Sequence, residues 1–280
     1  MDKYLIAIDM DGTLLNSKNE VTERSIEILQ KLAGQGHFIV PASGRAITLL
    51  PKTLDVIENR TYAITENGAV IWNYTDKTAD FCVRMPKGTT VQILQDAGVY
   101  PCYAEVFCDG TAYMEAADVD AIRACGLGKE FIDYILQDHI RVERLVEETT
   151  LLNEAEKINI YFERPDDAKQ FRAGWELDTS LAVTTSISGN VEFNRRGVNK
   201  GNALKTLREK LGIEQNRVIA FGDNENDLDM FVEAGIAVVM ANAKEEIRAA
   251  ADCVTEDHDH NGVACFLEKF FTCFLEKFFK

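Results

Sequence analysis

Asp9-Met10-Asp11-Gly12-Thr13-Leu14-Leu15 sets two carboxylates two residues apart, directly behind the apolar run Tyr4-Leu5-Ile6-Ala7-Ile8. Such a run reads as a buried strand, and open α/β sheets carry their chemistry at the carboxyl ends of their strands. Gly12 lets the backbone turn sharply and approach a ligand, and Thr13 adds a hydroxyl. Alternation puts Asp9 and Asp11 on one side if the strand continues, so the two share a pocket. Taken alone, the same residues also suit an ordinary turn or a calcium loop.

A second acidic cluster bears on that choice. Arg217-Val218-Ile219-Ala220-Phe221 is another strand-like run, followed by Gly222-Asp223-Asn224-Glu225-Asn226-Asp227-Leu228-Asp229-Met230 at the start of a predicted helix. If the two strands are neighbours in a parallel sheet, Asp9, Asp11, Asp223 and Asp227 converge at one edge. Like charges about 4 Å apart repel by roughly 4 kcal/mol at an effective dielectric of 20, and a divalent cation relieves that repulsion. Oxygen ligands without nearby His or Cys favour a hard ion. A small carboxylate set with room for water and phosphate favours magnesium over calcium.

Two further segments suit the same pocket. Phe38-Ile39-Val40-Pro41-Ala42 ends in Ser43-Gly44-Arg45, a hydroxyl and flexible amides fit for phosphate oxygens. Lys200 opens a helical run through Leu204, Leu207 and Leu211, where a cation neutralises phosphate and the charge that develops in phosphoryl transfer. Taken singly, Ser43 reads as a helix cap and Lys200 as a solvated lysine; in this order and company they read as ligands.

On these pieces the chain resembles the haloacid dehalogenase-like phosphatases, specifically the Cof-type group with a large C2-type cap. The matching segments are Asp9 to Leu14, Ser43-Gly44-Arg45, Lys200 and Gly222 to Asp227, with Thr65-Glu66-Asn67-Gly68-Ala69 as a subgroup-like stretch. The resemblance implies an α/β fold: a doubly wound, mainly parallel Rossmann-like core with an inserted α/β cap. It implies that Asp9 is the nucleophile and Asp11 the general acid and base. Magnesium would be held by Asp9, the Asp11 main-chain carbonyl and Asp223, with Asn224 in or near its shell and Asp227 outside it. The Met10 and Gly44 amides, Ser43, Lys200 and Asn226 would surround the phosphate. The activity implied is magnesium-dependent hydrolysis of a small phosphorylated metabolite through an aspartyl-phosphate, with sugar phosphates the leading class. A phosphomutase, or a phosphate-binding regulator without turnover, is the alternative.

Composition agrees. The 280 residues exceed one typical domain, and 46% of them are hydrophobic, enough for an ordinary core. A net charge of −16 argues against a nucleic-acid or anionic-membrane partner. Seven cysteines at irregular spacing, without a signal-peptide pattern, read as reduced thiols in the cytoplasm. His258 and His260 offer a zinc pair, but their acidic surroundings before Asn261-Gly262 read as an exposed loop.

Spacing locates the cap. Between Asp11 and Ser43 there is room for one helix, near Thr22 to Ala33, and one strand. Between Arg45 and Lys200 lies far more chain than a core needs. The expected division is core over 1–80 and 189–280, cap over 81–188, with hinges near Met85 to Gly88 and Ile187 to Asn190. Within the cap the strand candidates are Tyr103 to Cys108, Thr111 to Met114, Lys157 to Phe162 and Leu181 to Thr185. The helix candidates are Thr89 to Ala97, Asp120 to Leu136 and Asp166 to Leu177. Arg84, Lys87, Arg123, Arg141, Arg144 and Arg164 are its basic candidates for substrate contact, each equally readable as solvated surface. At the tail, the octapeptide Ala264 to Phe271 returns almost unchanged as Thr272 to Phe279. That reads as a duplication extending the last helix, with its phenylalanines also suited to a dimer contact. The chain is expected to be a monomer or homodimer.

Overall fold

Leu5, Ile6 and Ala7 are wholly inaccessible to solvent, as expected of a strand with neighbours on both edges and helices on both faces. The computed structural model describes residues 3–57, 60–118, 122–123, 125, 128–186 and 189–278. In chain order the strands are β1 (Leu5–Asp9), β2 (Phe38–Ala42), β3 (Tyr62–Thr65), β4 (Val70–Asn73), β5 (Thr78–Cys82), β6 (Cys102–Cys108) and β7 (Thr111–Glu115). There follow β8 (Ile140–Val142), β9 (Lys157–Phe162), β10 (Leu181–Thr184), β11 (Asn190–Arg195), β12 (Val218–Gly222), β13 (Ile236–Val239) and β14 (Cys253–Val254).

They form two sheets. The first has the order β14-β13-β12-β1-β2-β3-β4-β5, parallel from β14 to β3 and antiparallel at β4 and β5. Leu5 and Ala7 pack with Leu204, Leu207 and Met230 on one face, while Ile6 and Ile8 pack with Leu29, Leu32 and Leu267 on the other. Alternation along β1 thus builds both cores at once. Because β1 lies between β2 and β12, the chain runs outward from it in both directions, and a crevice opens at the strand ends there.

The second sheet has the order β10-β11-β9-β6-β7-β8 and is antiparallel except between β7 and β8. It takes in β11, so the division between the sheets falls after Arg195 rather than at 189, and β5 carries the first sheet to Cys82 rather than to residue 80. Ile158, Ile160, Val191 and Phe193 bury one of its faces under the helices Thr89–Ala97, Thr149–Glu154 and Pro165–Trp175. Its other face is polar yet equally buried: Glu105, Lys157, Asn159, Asn190, Glu192 and Asn194. That face meets the first sheet's loops where Asn194 donates to the Glu66 carbonyl. The β8 strand and the short Thr149–Glu154 helix carry no clear pattern in the sequence, being too short for a period to show.

The helix candidate from Asp120 to Leu136 begins outside the described residues; Ile122 and Arg123 are helical, Cys125 lies in a turn, and a separate helix spans Lys129–Asp138. Ile187 and Ser188, expected in a hinge, also lie outside them. The last helix spans Gly262–Phe278, with Leu267 and Phe271 packed into the core and Phe271 against Tyr4 and His37. Side chains of the second octapeptide copy beyond Thr272 lie outside the described residues. Among those described, no helix is long and apolar enough to cross a membrane. The six described cysteines are free, and burial pushes the thiols of Cys82, Cys102 and Cys108 up to about 12. His260 is held by Asp257, and His258 joins no metal-ligating group among the described residues.

Candidate active site

At the carboxyl ends of β1 and β12, carboxylate oxygens of Asp9, Asp223 and Asp227 lie within 4.8 Å of one another. Lys200, first residue of the helix Lys200–Leu211, is 1% exposed, and its ammonium sits 2.5 Å from Asp9 Oδ1 and 2.7 Å from Asp227 Oδ1. Burial alone would lower its pKa, but the attraction of Asp227 and Asp9 outweighs this and raises it, so Lys200 stays charged. One ammonium cannot neutralise three carboxylates. Burial, followed by repulsion from Asp227, raises Asp9 well above the usual carboxylate range and lifts Asp223 to about 7.

Asp227 is fully engaged. Its Oδ1 accepts from Lys200, while Oδ2 accepts the backbone amides of Asp223 and Asn224 at 3.0 and 3.1 Å. Asp227 therefore braces the loop that carries Asp223. Asn224 caps the turn Glu225–Asp227 through its side-chain oxygen and donates from Nδ2 to the Ser186 carbonyl of the second sheet's domain. Asn226 lies partly buried in that same turn. Asp223 accepts the Thr13 hydroxyl at 3.1 Å. Gly12, at φ 81°, has no room for a side chain, since a Cβ there would lie 2.5 Å from Asp223 Oδ2.

A hard dication fits this donor set: carboxylate oxygens of the buried Asp9 and the partly buried Asp223, crowded with Asp227 and without His or Cys, a few residues from the backbone of Asp11. Asp11 itself points outward and its side chain is 54% exposed. Both its oxygens accept from the buried guanidinium of Arg45, which also donates to Asn19 Oδ1 and the Leu49 carbonyl. The Met10 carbonyl gathers the amides of Thr13, Leu14 and Leu15, which tightens the turn between the two aspartates. Ser43, 1% exposed at the end of β2, accepts the Arg45 amide at 3.1 Å, with Gly44 between them.

Sequence reasoning marked Asn67 within the Thr65-to-Ala69 stretch but passed over the other residues above this floor. Lys157 of β9 donates to the Gly44 carbonyl at 3.0 Å and pairs with Glu192 of β11 at 3.3 Å. Asn67 donates to the same Glu192 oxygen at 2.5 Å. Burial alone would raise Glu192, but Lys157, Ser186 and Asn67 together bring it below the ordinary range. Farther out, Glu105 binds His139 and Asn159, and the Tyr103 hydroxyl donates to it. The basic cap candidates lie elsewhere. Arg84, Arg144 and Arg164 pair with Glu154, Glu147 and Asp167 on the surface, Arg141 donates to the Leu136 carbonyl, and Lys87 and Arg123 are exposed. The signal for Lys157 was its alternation with Ile158 and Ile160, which by itself marks a polar face and not what covers it.

Residues 6–267 match the family model of the haloacid dehalogenase-like hydrolases. The chain is 31% identical to phosphatase YwpJ of Bacillus subtilis over 93% of its own length and 97% of that protein's. It is 27% identical to the 5-amino-6-(5-phospho-D-ribitylamino)uracil phosphatase YcsE of the same organism, over 94% of each chain. A solved haloacid dehalogenase-like hydrolase from B. subtilis superposes with a TM-score of 0.82 at 27% identity, covering 95% of this chain and 99% of that one. The chain belongs to the haloacid dehalogenase-like hydrolases, in their Cof-type group. It is an enzyme of the phosphatase class.

Proposed function

We propose that the chain hydrolyses the phosphate monoester of a small polyhydroxylated metabolite, a sugar phosphate being the leading class, through an aspartyl-phosphate on Asp9. The observation that carries this reading is the buried Lys200 ammonium, which touches Asp9 at the edge where Asp223 converges. The ribityl phosphate in the name of one relative supports the substrate class.

Asp9 attacks phosphorus in line with the leaving oxygen. Lys200 offsets the repulsion between carboxylate and phosphate, while Ser43, Asn226 and the amides of Met10 and Gly44 hold the phosphoryl oxygens. Asp9, the Asp11 carbonyl and Asp223, with Asn224 and Asp227 nearby, would hold magnesium, which would supply positive charge against the same repulsion. Asp11, turned inward from its pair with Arg45 and protonated, gives its proton to the leaving oxygen as the ester bond breaks. The same carboxylate then takes a proton from the water that attacks the phosphoenzyme, which frees phosphate and restores Asp9.

The test is phosphate release from a panel of phosphorylated metabolites. Activity is expected with magnesium, lost on chelation and regained when magnesium is restored. Asp9→Asn is nearly isosteric and is expected to fold normally while losing about 10⁴-fold or more in turnover. An Asp9→Asn protein that keeps a near-wild-type rate would falsify the assignment.

A further inference from the structure

We propose that Lys157 of the cap is a positioning residue for the core's phosphate loop, fixing Ser43-Gly44-Arg45 in the shape that receives phosphate. The inference rests on the reading of Ser43 and Gly44 given above. The Lys157 side chain is 2% exposed, and its ammonium donates to the Gly44 carbonyl at 3.0 Å. That carbonyl and the Arg45 amide belong to one rigid peptide plane, so holding one orients the other. The Arg45 amide in turn donates to Ser43 Oγ at 3.1 Å. With its oxygen accepting there, the Ser43 hydroxyl is left to donate its own hydrogen to a phosphate oxygen.

The loop has no slack for a substitute arrangement. A Cβ on Gly44 would lie 2.8 Å from Asn67 Oδ1 and 3.1 Å from Lys157 Nζ. Asn67 and Lys157 are both tied to Glu192, so a residue of the core and a residue of the cap share one carboxylate beside the loop. Because Glu192 is ionised and balances the ammonium, Lys157 acts here by geometry rather than as a free positive charge.

The probes are acetyl phosphate as substrate and inorganic phosphate as competitive inhibitor, both too small to reach the rest of the cap. Lys157→Met alone strands a buried carboxylate, so the principal variant is Lys157→Met with Glu192→Gln, checked by its Tm. Expected are rises of about tenfold in both KM for acetyl phosphate and Ki for phosphate, with kcat within about threefold, as for loss of one charge-assisted hydrogen bond. Lys157→Arg, which keeps the donor and the charge, is expected to hold Ki within about threefold, and it serves alone if the double variant does not fold. Unchanged Ki and KM in the double variant would overturn the proposal, as would a tenfold rise in Ki for Lys157→Arg. Ser43→Ala separates the two levels: if it leaves Ki unchanged, the phosphate reading of the loop fails; if it raises Ki while the Lys157 variant does not, only the present inference fails.

Discussion

The floor and the roof of the crevice are both buried and both polar, yet their charges are arranged in opposite ways. On the floor, Asp9, Asp223 and Asp227 converge around the single ammonium of Lys200. On the roof, the central buried charges have partners: Lys157 with Glu192, and Glu105 with His139, Asn159 and Tyr103. Unbalanced buried charge is costly and persists where something else completes it. Balanced polar groups cost less and offer a patterned set of donors and acceptors. On the proposed function, the floor would serve phosphoryl transfer and the roof recognition of neutral polar groups.

The sharpest way to break this comparison is to discharge the floor. Lys200→Ala is expected to lower kcat/KM by about 10³-fold or more for every substrate, because the lost interaction is with the phosphoryl group common to all of them. Steady-state rates on acetyl, aryl and alkyl phosphates check it, and a loss confined to one substrate would contradict the floor assignment. Asp11→Asn is expected to cost roughly 10²-fold on alkyl phosphates and clearly less in the first step with acetyl phosphate, whose leaving group needs no proton. Equal losses across leaving groups would remove Asp11 from the acid role. On the roof, Asn159→Ala and Glu105→Gln are expected to reorder sugar phosphates by about tenfold while acetyl phosphate moves by less than about threefold. If that ranking stayed fixed, the recognition role of the roof would be wrong.

The smallest effect tests the seam. Glu66 is fully buried, neither of its carboxylate oxygens has a hydrogen-bond partner among the described residues, and it faces Glu156, Lys157 and Asp109. Burial, then repulsion from Glu156, raises its pKa well above the ordinary value. The folded state therefore keeps a proton that the unfolded chain gives up near its ordinary pKa of about 4.3, and stability falls as pH rises above that point. Glu66→Gln cannot titrate. It is expected to raise Tm at pH 7 by roughly 2–4 °C, with the gain vanishing toward pH 4. A gain that persists at pH 4 would show that packing, not ionisation, is responsible.

How much of this was legible in the sequence differs between the same two regions. Most of the floor could be read because Asp9, Ser43 and Asp223 each follow an apolar strand with a turn behind it, and Lys200 opens an apolar-periodic helix; those local signals survive without knowledge of neighbours. Asp9, Ser43 and Asp223 were placed that way at adjacent strand ends. The Arg45 grip on Asp11 was not, because it depends on how a loop folds back across the strand ends. Nor was the roof. In β9 and β11, Lys157, Asn159, Glu192 and Asn194 alternate with apolar residues as they would on a strand facing water. Only the first sheet's domain, docked on that face, turns it into an interior. For the same reason the sheet boundary fell on the far side of β11, whose pattern suits either sheet.

The quiet thiols have a practical consequence. With Cys82, Cys102 and Cys108 pushed up to about 12, none of them carries an appreciable thiolate at neutral pH, the form that maleimides and other electrophiles attack. Once Cys125, Cys253, Cys265 and Cys273 are replaced, the two domains lend themselves to optical labelling: one cysteine engineered on the exposed Leu177 of the cap and one on the exposed Val232 of the core would take a dye pair against a low background. Energy transfer between the dyes would then report the distance from roof to floor while substrate turns over.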